Sequence, residues 1–388
     1  MSLKNILVAL AAMGATVVAS PAKSKRAAAY DGNPFEGVAM YVNPYYRDEI
    51  HDLALPQMTG SLAEKAKQVA EIPSFQWLSA RPTTPVPTPY AGLFVIYNFP
   101  DRDCSAKASD GELHLDDNGL ERYQTEYIDP IAELVKEYDD IRTIFVYEPD
   151  GLANLVTNLE DSQPKCQGAA EAYHLSTVYA METLNFDNVA LYVDGGHAGW
   201  LGWPGNLNLT AEVFGNAFKE AGKPKSVRGV ATNVSNYNAV LQRDRAPAYT
   251  DPNPNWDESR FHEALAPFLE EHEFPAHFIV DTGRSGVQPA GRESWGNWCN
   301  IKETGFGIRP SSNTPTELLD AFVWVKPGGE SDGTSDEEAV RYDTMCSSNS
   351  SVIPAPEAGD WFQDYFEMLI NNANPLQGLL QKQGQEVC

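Results

Sequence analysis

Basic residues are scarce in this chain of 388 residues. It has 28 lysines and arginines but 54 aspartates and glutamates, so its formal net charge is −26. No run of Lys and Arg is long enough to neutralise a phosphate backbone or an anionic lipid surface. This scarcity argues against nucleic acids and membranes as partners. It fits a protein that acts on a neutral ligand.

Long apolar runs are also missing, except for one at the N-terminus. Lys4 precedes the apolar stretch 6–18, which small residues follow, and this pattern is typical of a secretory signal peptide. The stretch is too short for a transmembrane helix. We therefore expect a secreted, soluble, monomeric protein with a signal peptide at 1–19, a pro-segment at 20–26 and a single catalytic domain at 27–388.

Cysteines are few, and their spacing excludes the common zinc motifs. In a secreted chain the five cysteines are disulfide candidates, and the odd number leaves one over, for which the final residue, Cys388, is the natural choice. Three glycosylation sequons begin at Asn208, Asn233 and Asn349. Asn233 follows a predicted strand, so we expect it to be unglycosylated and to have another use.

Short apolar, β-branched runs are abundant and alternate with helical patterns such as 123–138 and 168–184. The predicted strands are 37–41, 93–97, 143–147, 189–193, 228–231, 277–280 and 321–325. Strands and helices that alternate at this spacing indicate βαβ units and a parallel sheet. About seven such units favour a (β/α) barrel, an α/β fold whose active site lies at the C-terminal strand ends.

Carboxylates follow several of these strands. Asp103 comes after the second run and Asp150 after the third, and polar residues also follow the later ones. Any one of them is typical of a turn or a helix cap. The whole set at one face of a barrel instead indicates a catalytic site, and paired carboxylates are what acid-catalysed glycoside cleavage requires.

Tryptophans lie in two glycine-rich loops, 199–205 and 294–299. Because loops run over the protein surface, these indole side chains are not expected in the hydrophobic core. A flat indole face matches the apolar face of a pyranose ring. The alternative is that each tryptophan caps the barrel hydrophobically.

These segments resemble the fungal cellobiohydrolases of glycoside hydrolase family 6. The resemblance covers residues 35–377 and is carried by Tyr97-x-x-Pro100-Asp101-Arg102-Asp103-Cys104, Glu148-Pro149-Asp150, Asp194-x-Gly196-His197-Ala198-Gly199-Trp200-Leu201-Gly202-Trp203-Pro204, Trp298-Cys299-Asn300 and Trp324-Val325-Lys326-Pro327-Gly328-Gly329-Glu330-x-Asp332-Gly333. It implies a distorted barrel covered by long loops and inverting hydrolysis of β-1,4-glucan.

The resemblance implies a general acid, Asp150, and an ionised neighbour, Asp103. Two nearby carboxyls cannot both ionise cheaply, so one keeps its proton. Arg102 and Arg284 are the candidates to hold Asp103 charged. Asp332 matches the position of the proposed base, and either direct proton abstraction there or a water chain to another acceptor remains open.

The resemblance also assigns residues that handle sugar and water. Tyr97 is expected to press on the distorted sugar, and Ser109 to position the attacking water. The expected substrate-binding residues are Trp77, Trp200, Trp203, Trp298, Lys326, Glu330, Asp194, His197 and Asn233. No metal or cofactor is expected, because carboxylates and water can carry both proton steps.

The implied disulfides are Cys104–Cys166 and Cys299–Cys346, each worth roughly 4 kcal/mol by the chain-entropy estimate. The segments 305–310 and 331–346 match the long loops of tunnel enzymes that release cellobiose from non-reducing ends. Two alternatives stay open: an endo-acting or mixed-mode glucanase, and a non-catalytic glucan-binding protein, which would need a missing acid. The short, proline-rich segment 81–89 favours a more open entrance.

Three positions depart from the family pattern. Asn98 stands where Asp is common, Gly151 where Ser is common, and Ser331 where Cys is common. None of them removes a catalytic carboxylate.

Overall fold

The computed structural model describes residues 29–79, 90–160, 162–242 and 247–374. The predicted signal peptide and pro-segment, the segment 81–89 and Cys388 lie outside these residues. Within them, no helix combines the length and the apolar character needed to cross a bilayer.

Among the described residues, eight parallel strands form one curled sheet. They are β1 (Ala39–Met40), β2 (Gln76–Leu78), β3 (Tyr90–Ile96), β4 (Arg142–Tyr147), β5 (Val189–Asp194), β6 (Val227–Thr232), β7 (Phe278–Asp281) and β8 (Leu319–Val323). The order is β1-β3-β4-β5-β6-β7-β8, and β2 pairs with the C-terminal half of β3. The seven predicted strands and their parallel arrangement are confirmed. The three-residue β2 was missed, because so short a run carries no periodic signal.

Alternate residues of the strands face opposite sides of the sheet, as the pleat requires. Val95, Val146 and Tyr192 are in register and pack inside the barrel. Phe145 and Leu191 point outward into the layer of helices. Since both faces are covered, the strands are apolar throughout, and this is why continuous rather than alternating runs mark them in the sequence.

The helices cover the outer face. The α-helices are α1 (Pro44–Glu49), α2 (Gly60–Ala70), α3 (Gly119–Arg122), α4 (Asp129–Glu137), α5 (Gly151–Thr157), α6 (Pro164–Thr183), α7 (Pro204–Glu220), α8 (Glu258–Glu271) and α9 (Gln363–Asn371). Two π-helical stretches, Ile50–Ala54 and Tyr123–Ile128, and four 3₁₀ turns, Leu55–Gln57, Leu115–Asp117, Ala248–Thr250 and Thr344–Ser347, complete the described helical residues. The predicted helices 123–138 and 168–184 are therefore present, the first as a π-helical stretch joined to α4.

The barrel is distorted because no strand ladder joins β8 to β1 or β2 among the described residues. Single hydrogen bonds bridge the gap instead. Phe75 N–H donates to the Trp324 carbonyl (2.9 Å), and the Trp77 indole N–H donates to the Val325 carbonyl (2.9 Å). The gap therefore leaves Trp77 at the C-terminal rim, beside the residues that follow β8.

Both disulfides implied by the resemblance are present. Cys104 is bonded to Cys166, 62 positions later, and Cys299 to Cys346, 47 positions later. Each fastens a loop at the C-terminal side of the sheet, where long segments otherwise have few regular hydrogen bonds.

Candidate active site

A cleft of about 670 Å³ lies across the C-terminal ends of the strands. That volume suits a chain of a few sugar rings. The structure brings together in its walls these residues proposed from the sequence: Trp77, Tyr97, Arg102, Asp103, Ser109, Asp150, His197, Trp200, Trp298, Lys326, Glu330 and Asp332.

Asp150 stands at the N-terminus of α5, directly after β4, with its backbone in the left-handed region (φ 65°). Its N–H donates to Asp194 Oδ2 (2.9 Å). Burial, the Asp194 carboxylate and the Asp103 carboxylate raise the pKa of Asp150 well above its usual value. Burial raises the pKa of Asp194 to about 7, whereas the two backbone N–H groups that donate to it, those of Asp150 and Gly196 (3.1 Å), act in the opposite direction. Asp150 is therefore the group of this pair that holds a proton.

Glu148 lies beneath the cleft and connects the ends of β3 and β4. Its carboxylate accepts the N–H groups of Asn98 (3.0 Å) and Phe99 (3.2 Å) and the hydroxyl of Tyr123 (2.9 Å). Burial raises the pKa of Glu148 to about 7. The sequence motif included this residue, but nothing in the sequence distinguished its role from that of Asp150.

Asp103 lies in the loop that follows β3, and its Oδ2 accepts the Ser109 N–H (2.7 Å). Burial raises the pKa of Asp103, whereas the Ser109 N–H, Lys165 and Arg102 act in the opposite direction. Arg102 thus contributes as predicted. Its guanidinium donates mainly to carbonyls, those of Ser109 (2.9 Å) and Tyr97.

Arg284 does not hold Asp103, and this part of the prediction is wrong. The fully buried guanidinium donates to both oxygens of Asp332 (2.8 Å each). Asp332 also accepts the Tyr237 hydroxyl (2.7 Å) and the Asn300 N–H (2.9 Å). Asp332 lines the cleft, but four donated hydrogen bonds occupy its oxygens. Asn300 belongs to the motif 298–300 but was given no role there, and Tyr237 carried no sequence signal; their contacts with Asp332 span 32 and 95 positions.

One end of the cleft is built from Trp77, Tyr97, Lys326 and Glu330. The Trp77 and Tyr97 rings meet edge to face at 5.1 Å, and Lys326 Nζ is 3.3 Å from Glu330 Oε2. Behind them, burial and the Glu330 carboxylate raise the pKa of Glu49 to about 8, so that Glu49 and Glu330 share a proton at neutral pH. Glu49 lies at the end of α1, far from every motif, and no feature of the sequence selects it.

The other end of the cleft contains His197 and Trp200, whose indole N–H donates to Thr157 Oγ1 (2.7 Å). His197 Nδ1 accepts from Gly199 N–H (3.1 Å) and from Asn238 Nδ2 (3.2 Å). Burial, and then the charge of Arg292, lowers the pKa of His197 to about 3. His197 is therefore neutral, with its proton on Nε2, and presents a hydrogen-bond donor.

Three residues predicted to bind substrate lie outside the cleft lining. Asp194 is 1% exposed and supports Asp150 from below. Asn233 is fully buried, and its amide joins the Asp281 carbonyl (2.8 Å) to the Asn238 N–H (3.0 Å). Trp203 packs against Trp295 instead of facing the cleft. A polar side chain at a strand end can thus point at neighbouring protein groups rather than at the ligand. Because the Asn233 side chain is buried, it has no room for a glycan.

The prediction that the segments 305–310 and 331–346 cover the cleft is only partly correct. Ser331, Asp332 and Arg341 of the segment 331–346 line the cleft, together with residues of the Asp103 loop and of 296–298. The segment 305–310 does not. Phe306 is buried and stacks on Trp324 (5.0 Å), so this segment packs between the sheet and α9. The apolar residues of 305–310 are therefore part of the hydrophobic core rather than of a loop over the cleft.

The structure explains the glycine beside the acid. A Cβ at Gly151 would lie 2.5 Å from the Phe99 ring, which stacks on Tyr173 at 4.5 Å. Glycine is therefore required by the position of Phe99 in this chain. At Ser331 the hydroxyl bonds the carbonyl of Pro356 (2.9 Å), so its polarity is satisfied.

Asp194→Asn is expected to move the alkaline limb of the pH–kcat profile to lower pH by about one unit. The general acid that the resemblance implies, Asp150, must be protonated, so activity is expected to fall as pH rises through its pKa. Removing the Asp194 charge lowers that pKa, while an amide oxygen can still accept the Asp150 N–H. Rate measurements on cellohexaose between pH 4 and 9 check this, with the exposed Asp116→Asn as control. An unmoved alkaline limb in a folded variant would contradict it.

Two carboxyl groups, those of Asp150 and Asp103, face a single cleft with aromatic walls on the C-terminal side of a parallel barrel, and burial raises the pKa of both. Paired carboxyls of this kind are what a glycoside hydrolase requires. Residues 35–373 match the family Glycosyl hydrolases family 6, and the chain belongs to that family.

Its relatives are fungal enzymes. The chain is 53% identical over 365 residues to the 1,4-beta-D-glucan cellobiohydrolase CEL6A of Podospora anserina, an alignment covering 90% of this chain and 75% of that one. It is 51% identical over 376 residues to Exoglucanase-6A of Humicola insolens, covering 92% and 78%.

Solved structures agree with this fold. The catalytic core domain of the cellobiohydrolase Cel6A from Chaetomium thermophilum superposes with a TM-score of 0.86 at 54% identity, covering 89% of this chain and 100% of that one. Cellobiohydrolase II (Cel6A) from Humicola insolens, in complex with glucose and cellotetraose, gives 0.85 at 51% identity, covering 89% and 99%.

Proposed function

We propose that this enzyme hydrolyses β-1,4-glucosidic bonds in cellulose and cello-oligosaccharides with inversion, and that it releases cellobiose from non-reducing chain ends. The observation that carries the proposal is the placement of two carboxyl groups in one tryptophan-lined cleft: Asp150, whose pKa is raised well above its usual value, and Asp103, whose Oδ2 accepts the Ser109 N–H. The named activity of the fungal relatives, with which the chain shares most of its length, supports the same substrate.

Asp150 is proposed to protonate the glycosidic oxygen as the bond breaks. Its raised pKa favours the protonated carboxyl, and transfer of that proton is favoured as the leaving oxygen gains charge. Asp103 then stabilises the positive ring. Tyr97, which lies against Trp77, is proposed to hold the sugar ring in its distorted form.

The attacking water must lose its proton, and the geometry favours Asp103 as the final acceptor through a water chain. Asp332 is already engaged by other groups, because Arg284 donates to both of its oxygens and Tyr237 and Asn300 donate to Oδ2. Asp103 accepts one backbone N–H at Oδ2, and burial raises its pKa. Ser109 lines the cleft beside Asp103 and is proposed to position the water.

Product analysis on cellohexaose with anomer detection tests the proposal. The expected early product is α-cellobiose, because single displacement inverts the β-anomer and release from a chain end yields the disaccharide. A β-configured product would overturn inversion. A mixture of all oligomer lengths, together with a steep early fall in the viscosity of carboxymethylcellulose, would support the endo-acting alternative.

We further propose secretion. Two disulfides are typical of an oxidising compartment, and the N-terminal pattern is that of a signal peptide. Mass determination of the enzyme recovered from the medium of an expressing host tests this and locates the mature N-terminus. A monomeric state stays a prediction, which sedimentation checks.

A further inference from the structure

We propose that Lys165 is a positioning residue for the reaction: it fastens the loop that carries Asp103 and supplies the fixed positive charge that keeps Asp103 ionised. The proposal rests on the function proposed above for Asp103. Lys165 does not line the cleft and belongs to none of the motifs discussed above.

The Asp103 loop, residues 102–110, forms part of the cleft wall. Arg102, Asp103 and Ser109 of this loop all face the cleft. The loop has no strand or helix of its own; Arg102 Nε–H donates to the Ser109 carbonyl (2.9 Å) within it, and contacts from α6 fasten it further. Inside the loop, the Ser109 N–H reaches back to Asp103 Oδ2 (2.7 Å) and fixes the carboxylate only if the two ends stay together.

Two successive residues in the first turn of α6 hold this loop. Lys165 Nζ donates to the Arg102 carbonyl (3.1 Å) at its start and to Asp110 Oδ1 (2.8 Å) at its end. Cys166 is disulfide-bonded to Cys104 between them. Because one ammonium bridges both ends, Lys165 closes the loop, and its own charge is fixed beside the loop rather than free in solvent.

The charges around Asp103 leave Lys165 as the main counter-charge. Asp343 is a negative neighbour, Asp150 lies nearby as the carboxyl that holds a proton, and the Tyr97 and Tyr173 hydroxyls also face this carboxylate. Arg284 is committed to Asp332, and Arg102 directs its guanidinium to carbonyls and the Tyr97 ring. Of the two cations that favour ionised Asp103, Lys165 acts more strongly than Arg102.

Lys165→Gln tests the proposal, because glutamine keeps a donor for the loop but removes the charge. Asp103 must be ionised, and activity falls as pH drops through its pKa. Loss of Lys165 raises that pKa, so the acid limb of kcat should move up by about half to one pH unit, a loss of about 3–10-fold on the acid limb with little loss on the plateau at higher pH. Turnover of cellohexaose at saturating substrate measures this, and KM should change little.

Two matched variants isolate the charge. Lys165→Arg keeps a cation and should restore the wild-type acid limb. Asp110→Asn breaks the ion pair but leaves the ammonium in place, and its acid limb should stay within about twofold of wild type. Melting curves of each variant confirm folding.

An acid limb that is unmoved in Lys165→Gln, or a loss of kcat that is equal at every pH, would overturn the proposal, since a merely structural clamp moves no titration. Asp103→Asn separates this outcome from failure of the proposed function. If that variant retains full turnover, the function assigned to Asp103 is wrong. If it is inactive while Lys165→Gln keeps the wild-type profile, only the inference about Lys165 fails.

Discussion

Asp150→Asn is expected to lower kcat on cellohexaose by about 10²–10⁴-fold, the contribution of a positioned general acid. The amide is nearly isosteric, so the backbone bond to Asp194 and the walls of the cleft remain. Binding of cellotriose should change by less than about threefold. Steady-state kinetics and calorimetry measure the two quantities.

A substrate with a better leaving group sharpens this test. An aryl cellobioside with an acidic phenol needs little protonation, so the same variant should lose much less activity on it than on cellohexaose. Asp116→Asn, which removes an exposed carboxylate, is the control and should match wild type. Full turnover of cellohexaose by Asp150→Asn would refute the assignment, and an equal loss on both substrates would show a defect other than protonation.

Arg284→Met is expected to lower the free energy of unfolding by about 3–5 kcal/mol, because it leaves Asp332 as an unpaired charge in a buried site. Both partners are almost inaccessible, with 1% and 5% of their side chains exposed. Burial lowers the pKa of Arg284, but Asp332 and the tyrosines 237 and 365 raise it by more, so the guanidinium stays charged. Denaturant titration followed by fluorescence measures the loss.

A double variant and a surface pair complete the design. Arg284→Met with Asp332→Asn should recover part of the lost stability, because neither charge is then buried alone. Arg122→Met breaks the exposed pair with Asp117 (3.0 Å) and should cost less than about 1 kcal/mol. Equal stability losses in Arg284→Met and Arg122→Met would contradict a buried ion pair at Asp332.

Much of the fold is readable in the sequence because parallel strands covered on both faces must be apolar along their whole length. The seven principal strands followed from that signal. The strand β2 and the buried position of the segment 305–310 could not be predicted from this signal, for opposite reasons. β2 is too short to show a period, and the apolar residues of 305–310 fill the core beside α9 although their glycines and proline are typical of a surface loop.

The residues predicted to line the cleft were likewise only partly correct. Residues that directly follow a strand reach the same rim, which is why Asp103, Asp150 and Lys326 were found. Whether such a residue faces the ligand depends on the side-chain direction and on the neighbours. Asp194 and Asn233 also follow strands, yet they point into the layer beneath the cleft and bond to backbone groups there.

The sequence alone therefore determined the parallel α/β barrel, the edge that carries the chemistry and the carboxylates available to it, because strand period and strand ends are local features of the chain. Only the tertiary structure determined which charged side chains contact one another. It paired Arg284 with Asp332 across 48 positions and placed Lys165 at the Asp103 loop, more than 50 positions earlier in the chain. Electrostatic interactions depend on distance through space and on burial, and neither is set by position along the chain.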